Sequence, residues 1–153
     1  MTVLSLCFVK KGNQIALINR NKAPFKGMWN ALGGHLEKNE TIQECAIREI
    51  YEESGIKVDN IKVISKCSWN IDDDIFYAFV SELDDNFDTS IYPLKINEGI
   101  VDFKDIDWII AKDNEGVVPD LKLFIADIQS GNYHDYHLTY DEDGRLLDYQ
   151  IKS

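Results

Sequence analysis

Three glutamates set the chemistry open to this chain: Glu49, Glu52 and Glu53. Thr41 with Glu44 three residues later reads as a capping box, so a helix is expected to begin near Ile42. Gly55 suits the left-handed position just past its end. At about 100° per residue, the three glutamates take the i, i+3 and i+4 places of one arc. Ile42, Ala46, Ile47 and Ile50 occupy the neighbouring arc, which sets the acidic face beside the buried one. Carboxylates so close and half desolvated repel one another or take up protons unless a cation neutralises them. Oxygen-only donors favour a hard divalent ion, Mg²⁺ or Mn²⁺. An ion held this way suits phosphate chemistry, because it offsets charge on the transferred group and acidifies a bound water. The plainer alternative is a solvated amphipathic helix whose glutamates only keep it soluble.

The spacing is more specific than the acidity. Gly34, Glu40, Arg48, Glu49, Ile50, Glu52, Glu53, Gly55 and Ile56 fill every fixed place of the pattern G-x5-E-x7-R-E-U-x-E-E-x-G-U, with U a bulky aliphatic. This stretch resembles the signature of the Nudix hydrolases without a departure. The resemblance implies an α/β/α sandwich with a mixed sheet, and hydrolysis of a nucleoside diphosphate linked to another group, usually with Mg²⁺. It also assigns roles by position. Glu49, Glu52 and Glu53 match metal ligands, and the backbone carbonyl of Gly33 matches another. Glu52 or Glu53 activates the water, and one dimension does not separate ligand from base. Arg48 matches the arginine that orients a helix glutamate, and Glu40 supports the loop. Glu98, in Asn97-Glu98-Gly99, is either a solvated loop residue or the additional acid that many such enzymes recruit as ligand or base.

Substrate class rests on shorter matches. The run from Gly27 through Met28, Trp29, Asn30, Ala31, Leu32 and Gly33 to Gly34 is similar to the segment before the box in MutT-like nucleoside triphosphatases, including the mammalian enzyme that clears oxidised purine nucleotides. The resemblance makes Asn30 a reader of the base; otherwise it is a strand-end turn residue. Asp120 either hydrogen-bonds a purine edge, as in the similar loop there, or serves only as a helix N-cap. Arg20 stands near the place of a basic residue beside the substrate. Val118 replaces a stacking Trp and Leu121 a second Asp, which leaves stacking and substrate breadth open. The implied reaction is Mg²⁺-dependent hydrolysis of a nucleoside triphosphate, an oxidised purine such as 8-oxo-dGTP preferred, to monophosphate and pyrophosphate. The alternatives are another nucleoside diphosphate derivative, such as ADP-ribose or a dinucleoside polyphosphate, and a silent nucleotide-sensing domain. No proline lies between Gly55 and Pro93, which counts against ADP-ribose, and the intact box glutamates count against a sensor.

Behind these residues must stand a domain that holds them. With 153 residues, 44% of them hydrophobic and 28% charged, the chain is long enough for one domain with a core. Its net charge of −11 argues against a nucleic-acid polymer or an anionic membrane as partner, and leaves a small nucleotide screened by metal. Cys7, Cys45 and Cys67 lack metal-ligand spacing and read as free thiols of a reducing compartment. With neither a leader nor an apolar run of spanning length, the expected location is the cytoplasm.

Val3 to Lys10 and Gln14 to Arg20, split by Gly12-Asn13, predict a hairpin. Residues 21–28 read as loop, and Trp29 to Leu32 as a short strand leading to Gly33-Gly34, where backbone can approach a ligand closely. Strands are expected over Ile61–Asn70 and Ile75–Glu82, joined by a solvated Asp72-Asp73-Asp74 tip. Asp84 to Leu94 reads as loop, and Ile100 to Ile110 as β-type around a bend. Asp120 to Gln129 has helical spacing, and Tyr136–Tyr140 with Leu146–Ile151 predicts a last hairpin. The expected organisation is a Nudix domain over residues 1–130 with a C-terminal hairpin extension, 131–153, packed on it.

Overall fold

A computed structural model describes residues 2–23 and 25–152. Strands β1 (Val3–Lys11) and β2 (Gln14–Arg20) form the predicted hairpin, followed by β3 (Trp29–Ala31) and helix α1 (Ile42–Ser54). Then come β4 (Lys62–Trp69), β5 (Ile75–Leu83), β6 (Leu94–Ile96) and β7 (Gly99–Asp105). Helices α2 (Ile106–Ile110) and α3 (Leu121–Ser130) precede the last pair, β8 (His134–Tyr140) and β9 (Leu146–Ile151). The strands make one mixed sheet in the order β6-β7-β2-β1-β5-β4-β8-β9, with β3 on β2. β1 pairs β5 and β4 pairs β8 in parallel; the other ladders are antiparallel.

Side-chain alternation along the central strands sends successive residues into two cores. Phe8, Ile15 and Leu17 pack against Ile109, Leu121, Phe124 and Ile125 of α2 and α3. Cys7, Val9, Ala16 and Ile18 pack against Ala46 and Ile50 of α1. Helices therefore cover both faces, the α/β/α sandwich that the resemblance implied.

The β1–β2 hairpin is short, and that shortness makes the site. The two strands pair only at Val9–Ala16, Lys10–Ile15 and Lys11–Gln14. Beyond that they separate, and residues 29–35 enter the gap. β3 pairs with Leu17 to Asn19 of β2, while Leu32 and His35 bridge to Cys7 and Leu4 of β1.

Three local expectations change. Leu94, expected to end a loop, instead opens the short strand Leu94–Ile96, because Gly99 lets β7 fold back on it. Ile106–Ile110 is a helix, since Ile106 and Ile109 both face the core at helical spacing. Asp120 precedes α3, but its backbone is helical and its side chain makes no capping bond. The last hairpin continues the main sheet through β4 and β8.

Candidate active site

Backbone places the first components. The Leu32 and Gly34 carbonyls accept from the Cys7 and Ser5 N–H groups of β1, at 2.7 and 2.9 Å. Strand alternation then turns the Gly33 peptide groups away from β1, and the Gly33 N–H donates to Glu53 Oε1 at 2.7 Å. Both glycines are required for this approach. A Cβ on Gly33 would stand 1.9 Å from the Ser5 carbonyl oxygen, at a φ of +142°. A Cβ on Gly34 would stand 2.6 Å from the Glu49 carboxylate.

Helix α1 supplies the acids. Its start is fixed by the full capping box of Thr41 and Glu44, and its end by Gly55 in the left-handed conformation. The glutamates on its acidic face differ in burial. Glu52 is exposed, the Glu49 side chain is 15% exposed and Glu53 only 8%. Burial, opposed by the Gly33 N–H and reinforced by the charges of Glu49 and Glu98, pushes the Glu53 carboxyl up to about 8. Burial also raises Glu49, against the pull of Arg48.

Arg48 stands behind this face and ties it to the preceding loop. Its Nε and NH2 donate to the two oxygens of Glu40 at 2.7 and 3.0 Å. Its NH1 donates to Glu49 Oε1 at 2.7 Å and to Glu52 Oε2 at 3.2 Å, and NH2 reaches the His35 carbonyl. The guanidinium holds the Glu40 carboxyl down at about 2. Glu40 Oε1 also accepts from the Glu37 N–H at 3.1 Å, so the loop is braced at both ends.

These acids line one end of a cleft of about 610 Å³, within the size range of small-ligand sites. Gly33, Gly34, Glu49, Glu52, Glu53 and Glu98 lie there with Arg20. Glu98 sits in the β6–β7 turn, seated by Gly99, whose Cα passes too close to the Asn19 carbonyl for a side chain. Asn30 and Asp120 line the same cleft among apolar side chains. Asn30 Oδ1 accepts from the Ala31 N–H at 2.8 Å, so the group it offers outward is its amide NH₂. Asp120 is 8% exposed, and burial lifts its carboxyl to about 6.

All the candidate residues thus meet in one cleft, except Arg48, which acts from behind. The sequence did not reveal the aromatic wall. Phe25, Trp69 and Phe76 line the cleft, with Trp69 and Phe76 edge to face at 4.7 Å between centroids. They supply flat apolar surface where Val118 offers none. Asp72 and Asp74, expected as a solvated tip rather than a cation-binding turn, line the cleft, where Asp72 accepts from the Trp69 indole N–H at 2.6 Å. Leu138 of the last hairpin closes the wall.

The donor set fits a hard divalent cation. It is all oxygen, and burial disfavours charge on Glu49 and Glu53, which a bound cation would restore. Among the described residues no three acidic, histidine or cysteine side chains already converge on one point. Arg48 holds Glu49 and Glu52, and Gly33 holds Glu53, so a cation would gather carboxylates that are now anchored separately.

The family model described as NUDIX domain matches residues 1–121. The fold resembles a MutT protein from Bacillus halodurans, with a TM-score of 0.80 at 22% identity, covering 99% of this chain and 98% of that one. The chain is 30% identical over 111 residues to the NAD-capped RNA hydrolase NudC of Vibrio parahaemolyticus, covering 72% of this chain and 39% of that protein. It is 46% identical over 48 residues to the ADP-ribose pyrophosphatase of Methanocaldococcus jannaschii, covering 31% of this chain and 28% of that protein. The chain therefore spans well under half the length of these two relatives. Members of the family generally use divalent metal ions such as Mg²⁺. Box, fold and family match agree: the chain belongs to the Nudix hydrolase family.

Proposed function

We propose that this chain hydrolyses the pyrophosphate link of a nucleoside triphosphate, releasing a nucleoside monophosphate and pyrophosphate, with an oxidised purine such as 8-oxo-dGTP preferred. The observation that supports this reading is that one cleft is lined by two groups, the neighbouring carboxylates Glu49, Glu53 and Glu98 and the rings of Phe25, Trp69 and Phe76, which gather with Tyr140 beside Asp120. A base fits the second group and its phosphates the first.

Mg²⁺ or Mn²⁺ would be held by Glu49, Glu53 and the Gly33 carbonyl, with Glu52 and Glu98 from the rim, and would neutralise phosphate charge and acidify water. Arg48 fixes the rotamers of Glu49 and Glu52 before substrate arrives. Glu53, with a proton affinity near neutral in the bare site, is placed to take a proton from the attacking water, and Glu52 is the other carboxylate within the same face. Arg20 adds positive charge at the phosphate end. At the base end, Asn30 offers N–H donors and ionised Asp120 offers acceptors, which suits the N–H and carbonyl of an oxidised imidazole edge. The high negative charge of the chain favours a small cytoplasmic nucleotide over a polymer.

A second reading has support from the relatives, whose names give NAD-capped RNA and ADP-ribose as substrates. In that case the same acidic end would cut the central pyrophosphate of a dinucleotide. Steady-state kinetics on 8-oxo-dGTP, dGTP, dATP, NAD⁺, ADP-ribose and dinucleoside polyphosphates decide between them. The first reading requires the highest kcat/KM on a triphosphate, and a higher value on ADP-ribose or NAD⁺ establishes the second.

A further inference from the structure

Tyr140 lies in β8, beyond the stretch that matches the family model. It is 4% exposed, and its hydroxyl is buried without a hydrogen-bond partner at acceptable geometry among the described residues. That is unusual, because buried hydroxyls are nearly always satisfied. The ring is held in place. Phe25 and Trp69 flank it at 6.4 and 6.0 Å between centroids. The Asn70 side chain clamps its backbone, accepting from the Tyr140 N–H at 2.8 Å and donating to its carbonyl at 2.9 Å. What the hydroxyl faces is the carboxyl of Asp120, itself buried and lining the base end of the cleft.

We propose that Tyr140 is a positioning residue for base selection, whose hydroxyl turns to donate to Asp120 and so presents that carboxylate to the substrate as a pure acceptor. The consequence is a choice between base edges. An ionised carboxylate accepts from adjacent N–H groups, as on the N1–H and 2-amino edge of a guanine-type base or the N7–H of an oxidised one. Against the edge of adenine it meets one donor and one lone pair, and the lone pair repels it. A protonated carboxyl, with one donor and one acceptor, reverses that preference. Burial favours the protonated form, and a hydroxyl donating to the carboxylate opposes it. The other groups facing Asp120 do not compete. Cys67 of β4, which also lines the cleft, is held neutral by burial, and Asp72 and Asp74 lie at the rim.

This inference rests on the proposed placement of a base at Asp120, so the test separates the two. KM and kcat are measured from pH 5 to 9 for 8-oxo-dGTP, dGTP and dATP, in wild type, Tyr140→Phe and Asp120→Asn. Tyr140→Phe keeps the ring and its packing on Phe25 and Trp69, so it should fold, with an unchanged circular dichroism spectrum. It should raise KM for the two guanine-type nucleotides about tenfold at pH 6.5 while sparing kcat, and narrow the preference over dATP. The acid limb of kcat/KM should move up by about one unit, the worth of a hydrogen bond to a charged group. Asp120→Asn should lose both the preference and the limb. If Asp120→Asn does so and Tyr140→Phe matches wild type in KM and pH profile, the role given to Tyr140 is overturned. If Asp120→Asn leaves every KM unchanged, the base does not sit at Asp120 and the underlying reading fails instead.

Discussion

Gly33 and Glu53 are joined by a 2.7 Å hydrogen bond from a peptide N–H to a buried carboxylate, and that bond links the inserted strand to the acidic helix. The two neighbouring glycines serve it differently. Gly33→Ala drives a methyl into the Ser5 carbonyl at a φ few side chains adopt, so it should cost about 2–5 kcal/mol of stability. Gly34→Ala meets only the Glu49 carboxylate, which can swing away. It should fold with a near-native melting temperature and lose most of its activity. Equal melting temperatures for the two variants would contradict this division.

Arg48→Lys keeps the charge and loses the fork that engages Glu40, Glu49 and Glu52 together. Such a supporting residue is worth about 10–100-fold in metal affinity or activity. The Mg²⁺ concentration for half-maximal rate should rise within that range. A variant that titrates like wild type would remove Arg48 from the site.

The metal-free protein should become less stable as pH rises. Glu53 binds its proton more tightly in the folded chain, near 8, than an ordinary glutamate at about 4. Its contribution is therefore complete below about pH 4 and is lost as pH climbs through about 8. Asp120 acts in the same direction but has finished by about pH 7. Between about pH 7 and 8.5, in chelator, the melting temperature of wild type should fall and that of Glu53→Gln should stay flatter. Parallel curves would show that Glu53 is not the titrating group.

Millimolar Mg²⁺ should raise the melting temperature, because the gathered carboxylates of the folded chain bind it far better than the unfolded chain. Na⁺ at matched ionic strength should do much less. Equal shifts would reduce the effect to screening.

Local signals were legible in the sequence, and long-range ones were not. The caps of α1, the Gly12-Asn13 turn and the paired glycines act over a few residues, and each holds its predicted place. β6 is three residues long and exists only because β7 returns beside it. Ile106–Ile110 carries β-type residues that packing against Phe124's layer turns into a helical turn. Asp120 has the residue type of a cap, but a buried position among Tyr140 and Cys67 takes its side chain into the cleft. Trp69 and Phe76 meet across the β4–β5 hairpin, but Leu138 and Tyr140 join them only through the parallel pairing of β4 with β8, some seventy residues apart, which no local pattern encodes.

The most direct test of the account is the turnover of Glu53→Gln, beside Glu49→Gln and Glu52→Gln, on the best nucleotide of the panel with saturating Mg²⁺. Loss of the carboxylate should lower kcat for Glu53→Gln by about 10²–10⁴-fold, with an unchanged circular dichroism spectrum and a melting temperature no lower than wild type in chelator. Wild-type kcat in all three variants would contradict the assignment of catalysis to the acidic face of α1.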